Sequence, residues 1–159
     1  MCCAEIQKAF NAKKECFSEK VTSATGEHGR QFLIELPKGS TEIFCLVKVD
    51  KCLIASTEVE KCDFVFRRCS KQGQQNPDFY FIELKGKKIK KGYSQILATI
   101  GHFQEKLSIA KSQIWGFIVA SEVRTPKSNA EVANLKKSFA KHHGVALRIE
   151  SNKMIYKVS

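Results

Sequence analysis

Glu83 and Lys85 stand two positions apart at the end of an apolar segment that begins at Phe79. Side chains at positions i and i+2 of a strand share a face, so the two charged groups are predicted to point the same way. The segment is apolar on both faces, which is typical of a strand that is covered on both sides. Because a buried, unpartnered charge is costly, this pair indicates a functional site rather than packing.

Asp63 supplies a second acid from the strand-like segment that precedes this one. Two carboxylates on adjacent strands repel each other unless a cation lies between them. Carboxylates, carbonyls and waters in octahedral array are the ligands that Mg²⁺ or Mn²⁺ prefers, and the Leu84 backbone carbonyl is a further candidate. A lysine beside the metal, here Lys85, can orient the attacking water or neutralise charge on a phosphate. The predicted chemistry is metal-dependent hydrolysis of a phosphodiester.

A run of lysines follows the strand, and the whole chain carries a net charge of +11. One interpretation is a solvated loop that leads into a helix. We favour the other, a segment that grips the phosphate backbone of a nucleic acid beside the proposed metal. The predicted binding residues are Lys87, Lys88, Lys90 and Lys91, with Arg67 and Arg68 extending the positive surface.

The elements that must position these residues alternate between helices and strands. Hydrophobic spacing predicts helices at 4–24, 92–108 and 128–142 and strands at 31–36, 61–69, 79–85 and 114–120. Residues 43–55 are predicted to form a hairpin that turns at Asp50 and Lys51. Asp50 is predicted to be a turn residue, with a supporting role at the site as the alternative. Residues 145–149 and 154–158 are predicted to form a closing hairpin. The fold class is therefore α/β, a central mixed β-sheet flanked by helices, in a single domain that spans residues 1–159.

The segments around Asp63 and Phe79–Glu83, with the helix that follows, resemble the PD-(D/E)xK nuclease superfamily, which includes restriction endonucleases and Holliday-junction resolvases. The resemblance covers roughly residues 30–120. It implies a restriction-endonuclease-like core with Asp63 as the metal-bridging aspartate, Glu83 as the second carboxylate ligand and Lys85 as the catalytic lysine. Gln95, early in the next helix, matches a glutamine often found near these sites, where it positions a water or a phosphate.

Two features depart from the family pattern. Cys62 stands where the family motif has proline, while the literal pair Pro77-Asp78 lies too close to Glu83 for its acid to sit on a neighbouring strand. Many members also use an acid from the first helix. Four glutamates compete for that role, and Glu19 is preferred because it lies late in the predicted helix, near the sheet.

Cysteine content and hydropathy limit the cellular compartments in which the protein is expected. The seven cysteines are odd in number and form no C-x-x-C pair, which favours reduced thiols in a cytoplasmic protein over a zinc site. No apolar run approaches the roughly 20 residues needed to span a bilayer, and no secretory signal is expected.

The sequence as a whole predicts a Mg²⁺- or Mn²⁺-dependent endonuclease, with DNA favoured over RNA as substrate. Cutting both strands of a duplex often needs two active sites, so a homodimer is one arrangement to consider. Two alternatives of another class stay open: a non-catalytic nucleic-acid-binding module with the same fold, and a protein-interaction module whose basic face meets an acidic partner.

Overall fold

Two β-sheets and three α-helices make up the part of the chain that the computed structural model describes, which is residues 2–26, 29–69, 76–84, 88–121 and 126–158. The helices are α1 Ala4–Phe10, α2 Ile89–Lys106 and α3 Pro126–His142. The strands are β1 Phe17–Glu19, β2 Ser23–Thr25, β3 Gln31–Glu35, β4 Phe44–Lys48, β5 Phe64–Arg68, β6 Phe79–Glu83, β7 Ile114–Ala120, β8 Ala146–Ser151 and β9 Lys153–Lys157. No helix within these ranges is long and apolar enough to cross a membrane.

The larger sheet has six strands in the order β1-β4-β5-β6-β7-β8. Its first four strands are antiparallel, whereas β6, β7 and β8 run parallel to one another. Parallel neighbours need a crossover connection, and here α2 connects β6 to β7 and α3 connects β7 to β8. The predicted α/β class with a mixed sheet and helices is thereby confirmed.

Each face of the larger sheet buries its own core. The helices cover one face, where Phe81, Ile96 and Phe103 pack together. The small sheet, ordered β2-β3-β9, covers the other face with an aromatic core in which Phe32 and Phe117 have ring centroids 4.8 Å apart. All five residues of β6 are buried, because alternate side chains enter the two cores. This confirms the prediction that the strand is covered on both sides.

The N-terminal prediction is wrong beyond residue 10. Asn11 adopts a left-handed conformation (φ 49°), and its N–H bonds to the Lys8 carbonyl, which ends α1 after seven residues. Asparagine tolerates this conformation and often ends helices in this way. The chain then forms a short 3₁₀ turn, Lys14–Cys16, and the strands β1 and β2 instead of a longer helix.

Two predicted hairpins are also absent from the described part of the chain. Residues 49–54 form a compact turn after β4, in which the N–H groups of Cys52 and Ile54 both donate to the Val49 carbonyl. The last two strands do not pair as a hairpin: β8 joins the larger sheet beside β7, whereas β9 joins the small sheet beside β3. Asn152, with φ 65°, makes the crossing between the sheets.

Six of the seven cysteines pair as disulfides, so the expectation of reduced thiols is wrong for these six. The pairs are Cys2–Cys69, Cys3–Cys45 and Cys16–Cys52, with Cα–Cα separations of 5.3, 5.5 and 5.6 Å. These separations are ordinary for disulfides, which persist in oxidising compartments and are uncommon in the cytosol. A cytoplasmic location stays a prediction. The three bonds fix the N-terminal segment to β4, to the turn at 49–54 and to the end of β5.

Candidate functional site

The two predicted metal ligands lie at the same end of neighbouring antiparallel strands. Asp63 directly precedes β5, whose first residue, Phe64, is opposite Ile82, and Glu83 is the last residue of β6. The Asp63 N–H donates to the Ile82 carbonyl at 3.1 Å. In return, the N–H of Leu84 donates to Asp63 Oδ2 at 2.9 Å. The main chain that follows Glu83 therefore holds the Asp63 carboxylate in place.

Glu83 is fully buried on the face that the helices cover. The first turns of α2 pass close to it: a Cβ added at Gly92 would lie 3.3 Å from Glu83 Cγ and 3.6 Å from Ile118 Cγ2. The absence of a side chain at Gly92 therefore lets the helix approach the acid. The first turn of a helix carries partial positive charge, which favours a nearby carboxylate.

Both carboxylates affect the pKa of the buried Cys62 thiol. Burial raises the pKa of Cys62 well above its ordinary value, and the negative charges of Glu83 and Asp63 raise it further, while a hydrogen bond with Thr99 lowers it. Thr99 accepts the Cys62 N–H at 2.8 Å and donates to the Gln95 carbonyl at 2.9 Å. These bonds attach α2 to the start of β5. Burial and the two nearby acids therefore favour the protonated form of this thiol.

Asp50 lies next to Asp63 and shares a cavity of about 230 Å³ with it. Its N–H donates to the Asp63 carbonyl at 3.4 Å, and the neighbouring N–H of Val49 donates to the same oxygen at 3.0 Å. The cavity is lined by Thr25, Gly26, Lys48, Asp50, Lys51, Asp63 and Phe64. Asp50 is thus a turn residue, as predicted, and it also lies at the candidate site. The antiparallel pairing of β4 with β5 brings it there, and spacing along the sequence does not signal that pairing.

Gln95 lines a second cavity, of about 210 Å³, that also includes Asp50. The other residues around it are Thr57, Glu58, Val59, Glu60, Lys61 and Lys91. Gln95 lies on the second turn of α2, as predicted from the sequence, and its side chain is half-buried. Asp50 belongs to both cavities, whereas Asp63 lines the first and Gln95 the second.

The Leu84 carbonyl oxygen lies near Gly26, a lining residue of the first cavity. A Cβ added at Gly26 would be 3.3 Å from this oxygen and 2.7 Å from Leu84 Cβ. Only glycine fits this close approach without movement of the chain. The predicted carbonyl ligand is therefore next to the cavity that holds Asp63.

Glu19 lies away from the two acids. It is on β1 and pairs with Cys45 of β4, and its Oε1 accepts the N–H of Cys3 at 3.4 Å. Cys45 is in turn opposite Arg67, near the far end of β5 from Asp63. The predicted late-helix position is wrong because the helix ends at Phe10. The structure does not bring Glu19 to the site.

The two predicted arginines also lie at the end of β5 that is far from Asp63, and both form hydrogen bonds within the protein. Arg67 donates to the Cys2 carbonyl at 2.8 Å and to the Glu5 carboxylate at 3.0 Å. Arg68 is buried and donates to both carboxylate oxygens of Glu42, at 2.5 and 2.8 Å. These contacts hold α1 and the residues before β4 against β5, so the guanidinium groups of both arginines serve the fold and not the predicted nucleic-acid surface.

The predicted lysines divide into two groups. Lys85 and Lys87 lie outside the described residues. Lys88, Lys90 and Lys91 are exposed at the start of α2, the helix whose first turn covers Glu83. Asp78, excluded on sequence grounds, precedes β6 at the opposite end from Glu83, and its carbonyl accepts the N–H of Arg68 at 2.9 Å.

The sequence predicts that Asp63 and Glu83 hold a metal ion, and the structure bears on how many other ligands could join them. Within the described ranges, no group of three or more histidine, cysteine, aspartate or glutamate side chains is arranged to hold a metal ion. Mg²⁺ keeps several waters and is usually bound through one or two carboxylates together with substrate phosphates. Asp63 and Glu83 would be the residues that hold it.

Comparison of the chain with protein-family models, with curated proteins and with solved structures gives no match in any of the three. The molecule is a mixed α/β protein with two acids at one end of adjacent antiparallel strands.

Proposed function

We propose that the protein is a metal-dependent nuclease of the PD-(D/E)xK type that hydrolyses phosphodiester bonds with Mg²⁺ or Mn²⁺, DNA being favoured over RNA. The observation that carries the proposal is the placement of Asp63 and Glu83 at the same end of β5 and β6, joined through the hydrogen bond from Leu84 to Asp63. The order of β6, the helix α2 and the parallel strand β7 also supports the proposal.

Asp63 and Glu83 would hold the metal, with the Leu84 carbonyl as a further oxygen. A bound Mg²⁺ would activate a water and polarise the phosphate. Lys85, two residues after Glu83, is assigned from the sequence to assist that water, and Gln95 to position a water or a phosphate. The buried position of Glu83 keeps its carboxylate out of bulk water, which strengthens its interaction with a cation.

The nucleic acid would contact the start of α2. Lys88, Lys90 and Lys91 are exposed there, and Lys87 extends the run in the sequence. Lysine contacts to phosphates give binding that weakens with salt and carries no sequence information of its own. The net charge of +11 favours such a partner.

Purified protein should cut single- or double-stranded DNA, or RNA, in Mg²⁺ or Mn²⁺ and not in EDTA. Asp63→Asn, Glu83→Gln and Lys85→Met should each lower the rate by about 100-fold or more, because each removes charge from the reacting centre. Asp78→Asn is the matched control, since this acid lies at the opposite end of β6 and should leave the rate unchanged. Equal inactivity of wild type and variants on every substrate would reject the catalytic proposal.

Metal binding separates a nuclease from the two non-catalytic alternatives. A cation that binds the folded state raises the unfolding midpoint, so Mn²⁺ should stabilise wild type and Asp78→Asn but not Asp63→Asn. Salt-sensitive DNA binding without this stabilisation would favour a non-catalytic nucleic-acid module. Capture of one defined acidic protein in place of nucleic acid would favour an interaction module.

A further inference from the structure

Four strands form the edges of the two sheets in the described part of the chain, and three of them are protected against pairing with another chain. Proteins commonly protect an edge by keeping its strand short or by placing lysines on it. β1 and β2 have three residues each. β9 has an exposed lysine at each end, Lys153 and Lys157, and self-pairing about its central residue, Ile155, would place these lysines opposite each other. β8 is longer, with six residues, and carries no lysine.

The outer side of β8 can accept another strand. β8 pairs with β7 on one side, and it is the last strand of the larger sheet within the described ranges. Directly after β8, the N–H of Asn152 donates to the Ala120 carbonyl of β7 at 2.9 Å. Successive residues of a strand direct their N–H and C=O groups to opposite sides, so Ile149 and Ser151 direct theirs away from β7. These groups are free to form a new ladder.

β8 carries one charge of each sign on the same face. Arg148 Nη2 lies 2.9 Å from Glu150 Oε2, and the two side chains are 41% and 45% exposed. The Arg148 guanidinium also lies 5.7 Å from the ring centroid of Tyr156 on β9, so both charges are on the face that the small sheet covers. Leu147 and Ile149 are buried on the other face, under the helices.

These charges favour one register of self-pairing. Residues directly opposite each other in antiparallel strands share a face, where opposite charges stabilise the pair and like charges destabilise it. Two antiparallel β8 strands centred on Ile149 place each Arg148 opposite Glu150 of the second copy. A centre at Arg148 would instead place two guanidinium groups opposite each other, and a centre at Glu150 two carboxylates. The charges therefore select the centre at Ile149.

We propose that the protein forms a two-fold symmetric homodimer in which β8 pairs with β8 of a second copy, antiparallel and centred on Ile149. The two larger sheets then become one continuous sheet. An interface about a two-fold axis must be self-complementary, and the two copies of Arg148 and Glu150 would form a ring of alternating charge. Ile149 of each copy would exchange N–H···O=C bonds with the other. The inference goes beyond the proposed nuclease function and does not depend on it.

The dimer would place the two candidate sites on the same face of one sheet. Glu83 is opposite Ile118 of β7, and Ile118 is opposite Ile149 of β8, so the three residues lie in one row across the sheet. Five strand spacings of about 4.8 Å would separate the Glu83 residues of the two copies, which gives about 24 Å along the sheet. The dimer would thus supply the two sites that cleavage of both strands of a duplex often requires.

Charge reversal tests the pairing. Sedimentation equilibrium should show wild type in a monomer–dimer equilibrium. Arg148→Glu and Glu150→Arg each place like charges opposite each other at both positions, and each should weaken dimerisation by about 30-fold. The double variant, Arg148→Glu with Glu150→Arg, restores opposite charges and should dimerise as wild type does. Lys14→Glu is the control, because this exposed residue precedes β1 at the opposite edge of the sheet and its reversal should not alter dimerisation.

Two further measurements locate the contact at β8. An equimolar mixture of the two single variants should form heterodimers, because one copy then supplies both carboxylates and the other both guanidinium groups. In hydrogen exchange, the N–H of Ile149 should be protected in concentrated wild-type protein. That protection should be lost on dilution and in Arg148→Glu, since the bond across the axis is then absent.

The outcomes separate this inference from the nuclease proposal. Wild type that stays monomeric at every concentration, or a dimer that both single variants retain, would overturn the pairing. Failure of the double variant and of the mixture to dimerise when wild type does would also overturn it. Predicted dimerisation without cleavage of any substrate rejects the nuclease alone, and cleavage by a monomeric chain rejects the dimer alone. Urea unfolding of dilute, monomeric protein, in which Arg148 and Glu150 form only the exposed pair within one chain, should give equal midpoints for wild type and the double variant.

Discussion

The N–H of Leu84 and the carboxylate of Asp63, 2.9 Å apart, join the ends of β5 and β6. This bond links Asp63, the predicted metal ligand just before β5, to the residue that follows Glu83, the predicted ligand at the end of β6. Any movement of the chain at Leu84 would therefore move Asp63 as well. Because the close approach of Gly26 and the buried side chain of Leu84 fix this point, the geometry of the acids depends on packing in the small-sheet core.

Two glycines of α2 provide a direct test of the contact between the helix and Glu83. A Cβ at Gly101 meets nothing within 4 Å, so Gly101→Ala should stabilise the protein by about 1 kcal/mol through helix propensity. Gly92→Ala has the same propensity gain but places its methyl group 3.3 Å from Glu83 Cγ, so its net effect should be neutral or destabilising. Urea unfolding measures both. Equal stabilisation by the two substitutions would contradict the close approach.

The Arg68–Glu42 pair should contribute to stability rather than to nucleic-acid binding. The two side chains are 7% and 14% exposed, and the hydrogen bond to Glu42 raises the pKa of Arg68. Glu42→Ala leaves the buried guanidinium without its carboxylate and should cost about 3 kcal/mol. The exposed Arg148–Glu150 pair is the control, because Glu150→Ala should cost less than about 1 kcal/mol. A loss of DNA affinity without a loss of stability in Glu42→Ala would argue against this assignment.

Cys62 should make the protein less stable at alkaline pH. Burial holds its pKa above the ordinary value of 9.0, so the folded state keeps a proton that the unfolded chain loses above that pH. The stability is fully present below pH 9 and falls as the pH rises, by about 1.4 kcal/mol at pH 10. Urea unfolding of wild type and Cys62→Ala at pH 8 and pH 10, without reductant, measures the difference between the two slopes. The same slope in both proteins would exclude this thiol as the cause.

Thiol titration tests the cysteine pairing. Since Cys62 is the one cysteine outside a disulfide, the protein in urea without reductant should react with one equivalent of Ellman's reagent per chain, and the folded protein with none. After reduction all seven should react. Three or more reactive thiols before reduction would contradict the three bonds.

The Cys16–Cys52 disulfide should stabilise the candidate site more than the other two disulfides do. The double substitution Cys16→Ser with Cys52→Ser should cost about 4 kcal/mol, because the bond closes a loop of 36 residues. It should also speed hydrogen exchange at the N–H groups of Val49 and Asp50. Replacement of Cys3 and Cys45, whose bond closes a similar loop at 42 residues, should cost as much in stability but leave that exchange unchanged. Equal hydrogen-exchange rates in both variants would show that the Cys16–Cys52 disulfide does not stabilise the turn.

The sequence predicts the elements whose hydrophobic pattern is strong. The run 114–120 is apolar throughout and forms β7 over those residues, and the helical spacing of Ile96, Ile100 and Phe103 identifies α2. The first 25 residues fail because their strands are three residues long and half polar, while Asn11 ends the helix by a backbone conformation that periodicity does not encode.

The residues of the candidate site also differ in how well the sequence predicts them. Glu83 and Asp63 are recognisable because they interrupt or precede apolar strands, and both lie at the same end of the sheet. Lys48 and Lys51 are missed because their proximity to Asp63 arises from the pairing of β4 with β5. Arg68 is misread because its partner, Glu42, lies 26 residues earlier, and net charge carries no information on burial.

The parallel pairing of β3 with β9 has a consequence for biosynthesis. Gln31 pairs with Lys153, so the small sheet cannot be completed until residues 153–157 have left the ribosome. Until then β3 has β2 on one side but lacks β9 on the other, and the aromatic face of the larger sheet is covered only in part. Folding that depends on such distant contacts is slow and exposes apolar surface while it waits. The nascent chain is therefore expected to need protection from aggregation until β9 is made.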